Sequence, residues 1–339
     1  RMTWHQGGIL ILTYLAYTCY HMTRKPMSIV KNVLSFNNRD TWCDWAPFGN
    51  ADAPALLGIL DSAFLFAYAA AMFLSGFIAE RVNLRYFLTF GMLASGISCY
   101  LFGIARPYNI HNLWYFVLIQ VSAIGGVFQT SGWPGVVTVV GNWFGKGKRG
   151  LIFGIWNSHT SLGNILGSLI AAEFVESDWG LSFMVPGIIM GFAGFIIFLF
   201  LAPNPIDIGC IPPVPTKYRK FDTVHSSDED SGAENCDQSY SVRNAIGFAK
   251  AMMIPGVIEY SLSLFFAKLV SYTFLYWLPL YIAASSKYYS TTLSADLSTF
   301  FDVGGIVGAI AAGILSDYSG TSALTCAVMF GFAVPIVRL

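Results

Sequence analysis

The chain has 339 residues, of which 55% are hydrophobic, 16% aromatic and only 11% charged, and its mean hydropathy is +0.58. Soluble domains carry roughly 25% charged residues, so this sequence has too few polar side chains to cover a water-facing surface. Its 19 basic and 19 acidic residues cancel, which gives no electrostatic reason to expect a nucleic-acid partner. The composition excludes an ordinary soluble domain and predicts an all-α protein that crosses the lipid bilayer several times.

Eight apolar runs are long enough to span a bilayer, whose core needs about 20 mostly apolar residues per helix. They lie near 8–30, 56–78, 87–105, 114–140, 150–173, 181–202, 254–283 and 297–315. A ninth run, at 323–337, has only 15 residues, and the chain opens on Arg1 rather than on methionine. We therefore expect a fragment with eight complete transmembrane helices and part of a ninth.

The connections between these runs differ in their basic residues. Together with Arg1, the connections 79–86, 141–149 and 203–253 hold eleven Lys and Arg, whereas the remaining four connections hold four. The positive-inside rule places the first group in the cytoplasm, together with the N-terminus. The connection 203–253 is rich in proline and acidic residues, so we expect a disordered linker there.

The six cysteines do not indicate a disulfide framework. Cys19, Cys99 and Cys326 lie inside apolar runs, where cysteine usually acts as a small hydrophobic residue. We expect all six to be unpaired.

The second and eighth predicted helices end in the same pattern, a glycine four residues ahead of an acid at a cytoplasmic boundary. Glycine permits close helix approach, and the acid can pair with cations or with neighbouring helix N-termini. Two matched ends six spans apart predict parallel six-helix repeats, as in the major facilitator transporters. The residues of this conformational motif are Gly76, Glu80, Arg81, Arg85, Gly313 and Asp317.

This repeat divides the chain into three parts. We expect an N-terminal six-helix bundle at 1–202, the cytoplasmic linker at 203–253, and an incomplete C-terminal bundle at 254–339. Two complete bundles would have twelve helices, so about four are missing from this sequence.

Ionisable residues inside the apolar runs are the strongest functional signal, because a charge at the bilayer centre costs at least ~2.5–3.5 kcal/mol. Arg24 and Lys25 lie in the first run, Asp61 in the second, Lys268 in the seventh and Asp302 in the eighth. These five residues are the candidates for substrate binding and for ion pairing.

Polar residues at spacings of three and four predict stripes that face a cavity. The stripes are Tyr17, Tyr20, His21, Arg24 and Ser28 on the first helix, Asn157, Thr160, Ser161 and Asn164 on the fifth, and Lys268, Ser271 and Tyr272 on the seventh. The first and seventh helices occupy equivalent positions in a two-repeat transporter, so we expect Arg24 to face Lys268. Two cations on one cavity predict an anionic ligand, and the planar fork of arginine matches phosphate oxygens.

Other interpretations of these residues remain open. Lys25 fits snorkelling to an interface better than ligand binding. Lys268 forms either part of the anion site or a structural ion pair with Asp302. Asp61 is a polar contact of uncertain role, and His21 fits a hydrogen-bonding cavity wall better than a proton relay.

Two tryptophans fall within predicted helices rather than at the interfaces where aromatic belts lie. Trp133 and Trp156 therefore form either ordinary helix packing or a wall for a sugar ring or a gate. Pro134 and Pro279 are expected to bend their helices.

Several segments resemble the organophosphate:phosphate antiporter family of the major facilitator superfamily. They are GNWFGKGKRG at 141–150, GIWN at 154–157, QTSGWP at 129–134, WLPLY at 277–281, and the spaced Tyr17, Tyr20, His21, Arg24 and Lys25. The segments WNSHTS at 156–161, FAKLVSY at 266–272 and FDVGG at 301–305 are most similar to the sugar phosphate exchangers of the endoplasmic reticulum.

The resemblance implies exchange of glucose 6-phosphate for inorganic phosphate by alternating access, without ATP. It places the phosphate-binding arginine of the family on Arg24 and an acidic position on Asp302. The second family cation aligns with Ser271, and Lys268 lies one turn, about 5.4 Å, earlier. The family histidine aligns with Thr160, and the adjacent His159 points about 100° away, so it is not expected to be a ligand.

The candidate residues form two groups. The predicted substrate-binding group is Arg24, Lys268, Tyr17, Tyr20, His21, Lys25, Gln129, Trp133, Trp156, Asn157, Ser271 and Tyr272, and the coupling or ion-pair group is Asp302 and Asp61. The expected partners are phosphate esters, inorganic phosphate and the lipid bilayer of the endoplasmic reticulum, with a monomeric protein.

Three other functions are alternatives to antiport. A phosphate-ester sensor of the same fold would bind without counterflow. An enzyme would need a nucleophile, base or metal cluster, and the sequence has no His-x-x-x-His, paired acids or phosphate-cradling glycine loop, so we expect no enzymatic activity, metal or cofactor. Proton-coupled sugar transport would favour cavity carboxylates over cations.

Overall fold

The computed structural model describes residues 2–35, 45–121, 126–144, 150–210, 248–285 and 290–337. Within these ranges the backbone is helical and contains no β-strand. The helices are α1 (Met2–Arg24), α2 (Pro26–Leu34), α3 (Ala53–Ala79), α4 (Leu84–Ile104), α5 (Leu113–Val121), α6 (Gly126–Gln129), α7 (Gly132–Phe144), α8 (Gly150–Asn157), α9 (His159–Val175), α10 (Leu181–Phe200), α11 (Phe248–Met252), α12 (Val257–Ser285), α13 (Thr291–Ser319) and α14 (Ser322–Val337).

Five helices among the described residues are long and apolar enough to cross a membrane: α3, α4, α10, α12 and α13. Each of them coincides with a run that the sequence predicts to be transmembrane. The total of eight complete spans stays a prediction, because the remaining three predicted runs are divided into shorter helical segments.

The first predicted run is not one continuous helix. It breaks at Lys25, where α1 ends and Pro26 begins α2. Proline lacks the backbone N–H of a helix interior, and its ring suits the first position of a new helix. The second segment then continues to Leu34, and all nine of its residues are buried. Lys31 follows the predicted run 8–30 and was expected in a connection, whereas it lies inside α2.

The runs 114–140 and 150–173 are also divided. The run 114–140 contains α5, α6 and α7, with a turn at Thr130 and Ser131. The run 150–173 is interrupted at Ser158, which separates α8 from α9. The stripe predicted on a single fifth helix is therefore shared by two helices, with Asn157 on the first of them.

Glycines allow α9 to lie directly against α1. A Cβ atom at Gly163 would lie 2.4 Å from the Thr18 carbonyl oxygen, and one at Gly167 would lie 2.6 Å from that of Met22. Small residues of this kind permit backbones to approach closely in membrane proteins. This approach brings the polar face of α9 against the stripe on α1.

The helices that follow the linker 203–253 pack onto helices that precede it. Helix α12 contacts α2, while α13 contacts both α8 and α9. Gly154 permits the α8 contact, since its Cβ would lie 2.8 Å from the Ala309 carbonyl oxygen and 3.4 Å from the Gly313 Cα. A Cβ at Gly76 would meet no atom within 4 Å, so among the described residues the close approach expected at both motif glycines is found only at Gly313.

Two further predictions are tested in part. The described cysteines, Cys19, Cys99, Cys210 and Cys326, are free as expected, whereas Cys43 and Cys236 lie outside the described residues. The predicted disordered linker falls mostly outside them as well. Its first part differs from the prediction, because Pro205–Ile208 forms a 3-10 helix that Asn204 caps.

The contact between α1 and α9 gives a prediction for stability. Substituting Gly163→Ala forces a methyl group against a backbone carbonyl, so we expect the free energy of unfolding to fall by about 1–3 kcal/mol, the usual cost of overpacking. Thermal unfolding of the detergent-solubilised protein measures this loss. Gly191→Ala is the matched control, since a Cβ there meets no atom within 4 Å; equal stability of both variants would contradict the close approach.

Candidate functional site

Arg24 is held at the centre of the molecule without being neutralised. Its side chain is 5% exposed, and its Nε donates a hydrogen bond of 2.5 Å to Gln129 Oε1. Gln129 is fixed in turn, because its Nε2 donates to Thr23 Oγ1 at 3.3 Å. The Arg24 Nη2 has no hydrogen-bond partner, and no carboxylate of the described residues forms an ion pair with this guanidinium.

Tyrosines surround the Arg24 guanidinium. It lies 4.8 Å from the centre of the Tyr68 ring. Tyr17, Tyr272 and Tyr276 also lie within electrostatic range of it. Tyr68 is absent from the sequence prediction, although it follows Asp61 by seven residues, two helical turns on the same face. Phenol rings and hydroxyls can accommodate a cation while leaving its charge available for an anion.

Lys268 lies in the same neighbourhood as Arg24. Its Nζ is 5.6 Å from the centre of the Tyr272 ring, and it is within electrostatic range of Tyr68 and Arg24. The neighbouring Ser271 donates its hydroxyl to the Ala267 carbonyl oxygen at 2.9 Å, within its own helix. The second cation near Arg24 is thus Lys268, although the family alignment points to Ser271.

Lys25 does not snorkel to an interface, and that expectation is wrong. Its side chain is 1% exposed, and its Nζ lies 3.7 Å from Asp302 Oδ2 in α13. The other carboxylate oxygen accepts a hydrogen bond of 2.8 Å from Asn164 Nδ2, while Asn164 Oδ1 lies 3.3 Å from His21 Nδ1. Because Asp302 pairs with Lys25, the alternative pair between Asp302 and Lys268 is also wrong in this structure.

A further buried ion pair joins Lys31 to Asp61. Asp61 had no defined role among the predicted site residues, and Lys31 was not among them. One signal was available in the sequence, because Lys31 follows Arg24 by seven residues, which is two helical turns on the same face. The assumption that the first helix ends near residue 30 hid that relation.

The other residues of the α1 stripe pack closely together. The ring centre of Tyr17 lies 5.1 Å from that of His21, 5.5 Å from that of Trp133 and 4.7 Å from that of His159. Tyr20 Oη and Ser131 Oγ are 2.6 Å apart. His159 is fully buried in this cluster.

Two polar groups of the stripes serve their own helices. Ser28 donates its hydroxyl to the Lys25 carbonyl oxygen at 2.8 Å, at the break between α1 and α2. Thr160 Oγ1 lies 3.2 Å from His159 Nδ1, so the position that aligns with the family histidine is a hydroxyl bonded to its neighbour.

A cavity of about 380 Å³ lies between the aromatic residues and the last two helices. Its walls include Trp133, Trp156, Asn157, Gly313, Ser316 and Cys326. Trp133 is 42% exposed, while Trp156 is 2% exposed and donates its Nε1 hydrogen to Thr13 Oγ1 at 3.2 Å. Trp156 thus serves in packing, and Trp133 is available as a wall for a ligand.

The charged residues of the conformational motif lie at or near helix ends. Glu80 and Arg81 form an ion pair of 3.8 Å, and Arg81 Nη1 donates to the Phe77 carbonyl oxygen at 2.7 Å. Arg85 donates its Nε hydrogen to the Leu201 carbonyl oxygen, where α10 ends. Asp317 lies near the end of α13.

Comparison with known proteins identifies the family. The sequence model of the Major Facilitator Superfamily matches residues 14–338. The chain belongs to the major facilitator superfamily. It is therefore a multi-pass membrane protein of a transporter family, as the sequence resemblance implied, and this membership supports the expectation that it is not an enzyme.

Named relatives extend over nearly the whole chain. The glucose-6-phosphate exchanger SLC37A2 of Mus musculus is 52% identical over 100% of this chain and 72% of its own length. The protein of the same name from Xenopus laevis is 50% identical over 99% of this chain and 72% of its own length. The glucose-6-phosphate exchanger SLC37A1 of Homo sapiens is 44% identical over 100% of this chain and 74% of its own length.

The hydrogen bond that holds Arg24 gives a testable prediction. Gln129→Leu removes the acceptor of the Arg24 Nε hydrogen and leaves this donor buried, so we expect the affinity for a phosphate ester to fall by about tenfold, equivalent to ~1.4 kcal/mol. Titration of the purified protein with glucose 6-phosphate measures the dissociation constant. Gln6→Leu is a control, since Gln6 bonds the distant Trp143 carbonyl; unchanged affinity in Gln129→Leu would contradict this role.

Proposed function

We propose that the protein is an antiporter that exchanges glucose 6-phosphate for inorganic phosphate across the endoplasmic reticulum membrane by alternating access. The observation that carries the proposal is the buried Arg24 guanidinium, which is positioned by Gln129 but is not paired with a carboxylate among the described residues. The names of the relatives supply the sugar phosphate as substrate class.

The electrostatics of this site favour an anionic substrate. A buried charge without a partner is costly, and a phosphate dianion compensates it while bonding the guanidinium fork bidentately. Lys268 adds a compact second charge within electrostatic range of Arg24. Trp133, exposed on the neighbouring cavity, supplies an apolar face for the sugar ring.

Exchange rather than net transport follows from the same charge. The empty carrier would have to move a bare cation through its occluded state, whereas either phosphate ester or inorganic phosphate neutralises it. We propose that the parts 1–202 and 254–339 rock about this site, with the N-terminus and the linker 203–253 in the cytoplasm, and that one monomer suffices. Such rocking of two repeats around a central site is the usual mode of the superfamily.

The role of Arg24 is tested by the substitution Arg24→Ala. We expect exchange of radiolabelled glucose 6-phosphate in phosphate-loaded liposomes to fall at least a hundredfold, because a bidentate charged contact of roughly 3 kcal/mol is lost. Arg106→Ala is the matched control, since Arg106 lies 5.0 Å from the Trp45 ring, away from the site. Unchanged uptake in Arg24→Ala would overturn the site assignment, and binding without counterflow in the unmodified protein would favour a sensor.

The second cation is tested by moving it one turn. Lys268→Ser should reduce exchange, because the charge near Tyr272 is lost. Adding Ser271→Lys to this variant should restore exchange in part if the cation serves the substrate from either turn. Initial exchange rates at saturating and at low glucose 6-phosphate separate binding from turnover, and absence of any recovery would show that the position of the charge, rather than its presence, matters.

A further inference from the structure

The Lys31 ammonium group is the meeting point of three helices. It is fully buried in α2, and it pairs with Asp61 of α3. It also donates a hydrogen bond of 3.3 Å to the Tyr276 carbonyl oxygen and lies 4.2 Å from the centre of the Trp277 ring, both in α12. One side chain therefore ties α12 to two helices that precede the linker.

The α12 side of this contact lies in a turn that proline interrupts. Pro279 is inside α12 and lacks the N–H that would bond the Leu275 carbonyl, so the helix has one backbone hydrogen bond fewer there and can bend at this point. In a membrane, backbone groups in such a turn need support from a neighbouring helix. Lys31 supplies a donor to the next carbonyl of the same turn, that of Tyr276. The contact thus supports α12 at a point where it can bend.

Asp61 also faces the Arg24 site. Its Oδ1 has no hydrogen-bond partner, and the same is true of Arg24 Nη2 and Ser95 Oγ. All three residues line one small cavity of about 40 Å³. A volume of this size accommodates one or two waters and is too small for a sugar phosphate. The carboxylate that holds Lys31 therefore lies across a small polar gap from the permanently charged Arg24 guanidinium.

We propose that Lys31 and Asp61 form a latch that holds α12 against α2 and α3 while the lumenal side of the carrier is closed, and that this latch opens whenever the anion site faces the lumen. The proposal rests on the proposed antiport and its topology. Lys31 lies seven residues beyond Arg24, about 10 Å along the helix, on the side opposite the predicted cytoplasmic N-terminus. It is a positioning residue, since it acts on the site through α12.

Loss of the latch shifts the balance between the two conformations. A contact that exists in only one conformation stabilises that conformation, and its removal raises the population of the other. The apparent affinity on each side scales with the fraction of carriers open to that side. Affinity for glucose 6-phosphate therefore weakens on the cytoplasmic side and tightens on the lumenal side.

The experiment uses the full-length protein with the double substitution Lys31→Met and Asp61→Asn, which removes both charges and leaves neither one buried alone. Half-saturation by glucose 6-phosphate is measured from each face of oriented liposomes loaded with phosphate. We expect about tenfold weaker half-saturation on the cytoplasmic face and a lower value on the lumenal face. Equal changes on both faces, or none, would overturn the latch. Ser182→Ala is the control, since this buried hydroxyl bonds Ala171 within the helices before the linker.

A second readout does not depend on transport. Ala283 is buried near the end of α12, beyond Pro279. A cysteine introduced as Ala283→Cys should react faster with a membrane-impermeant maleimide from the lumenal face when the latch is removed than when it is intact. The same two proteins without this cysteine give the background labelling. Faster labelling in a protein that exchanges nothing would support the latch and reject the antiport, whereas normal exchange with unchanged labelling would reject the latch alone.

A milder variant covers the case in which the double substitution does not reach the membrane. Trp277→Leu leaves both charges in place and removes only the ring beneath the ammonium group. The opposite shifts of half-saturation on the two faces should appear in the same direction and with smaller size. Lys31→Arg should keep values within about twofold of the unmodified protein, since it retains the charge and the donor; shifts in Lys31→Arg as large as in the double variant would overturn the latch.

Discussion

Three cations at one break in the first membrane segment, and the way in which each is compensated, determine how the rest of the molecule is arranged. Lys25 pairs with Asp302 of α13, and Lys31 pairs with Asp61 while bonding the backbone of α12. Arg24 precedes both lysines in the chain and has an amide and an aromatic ring as its neighbours. Since breaking a buried ion pair costs several kcal/mol, the two lysines fix the helices that enclose Arg24, and Arg24 retains charge for a ligand.

Sequence reasoning located the apolar helices well, because length and hydropathy are local properties of the chain. Five described helices coincide with predicted spans and are long enough to cross a bilayer. It also singled out Arg24, Lys268 and Asp302, since a charge in an apolar run is conspicuous without any knowledge of its neighbours. The division into two bundles stays a prediction, because hydropathy says nothing about which helices pack together.

The sequence did not indicate which buried charged residues pair with each other across the molecule. A pair between Asp302 and Lys268 is one of the alternatives that the sequence leaves open, whereas Asp302 pairs with Lys25 in the structure. An average span length ends the first membrane segment near residue 30 and puts Lys31 in a loop, whereas α2 extends to Leu34. The first outcome depends on how several helices pack together, and the second on where one helix ends, which a length rule does not locate.

In the proposed antiport, the same arrangement couples substrate binding to the movement of the helices. Lys25 reaches α13 and Lys31 reaches α12, so the segment that holds Arg24 is tied on both sides to helices beyond the linker. An anion that draws Arg24 and Lys268 together would also act on these two attachments, because Arg24, Lys25 and Lys31 share one short backbone segment. A neutral sugar would supply no such pull. In the proposed antiport, the charge of the phosphate group therefore serves both recognition and the change between the two faces of the carrier.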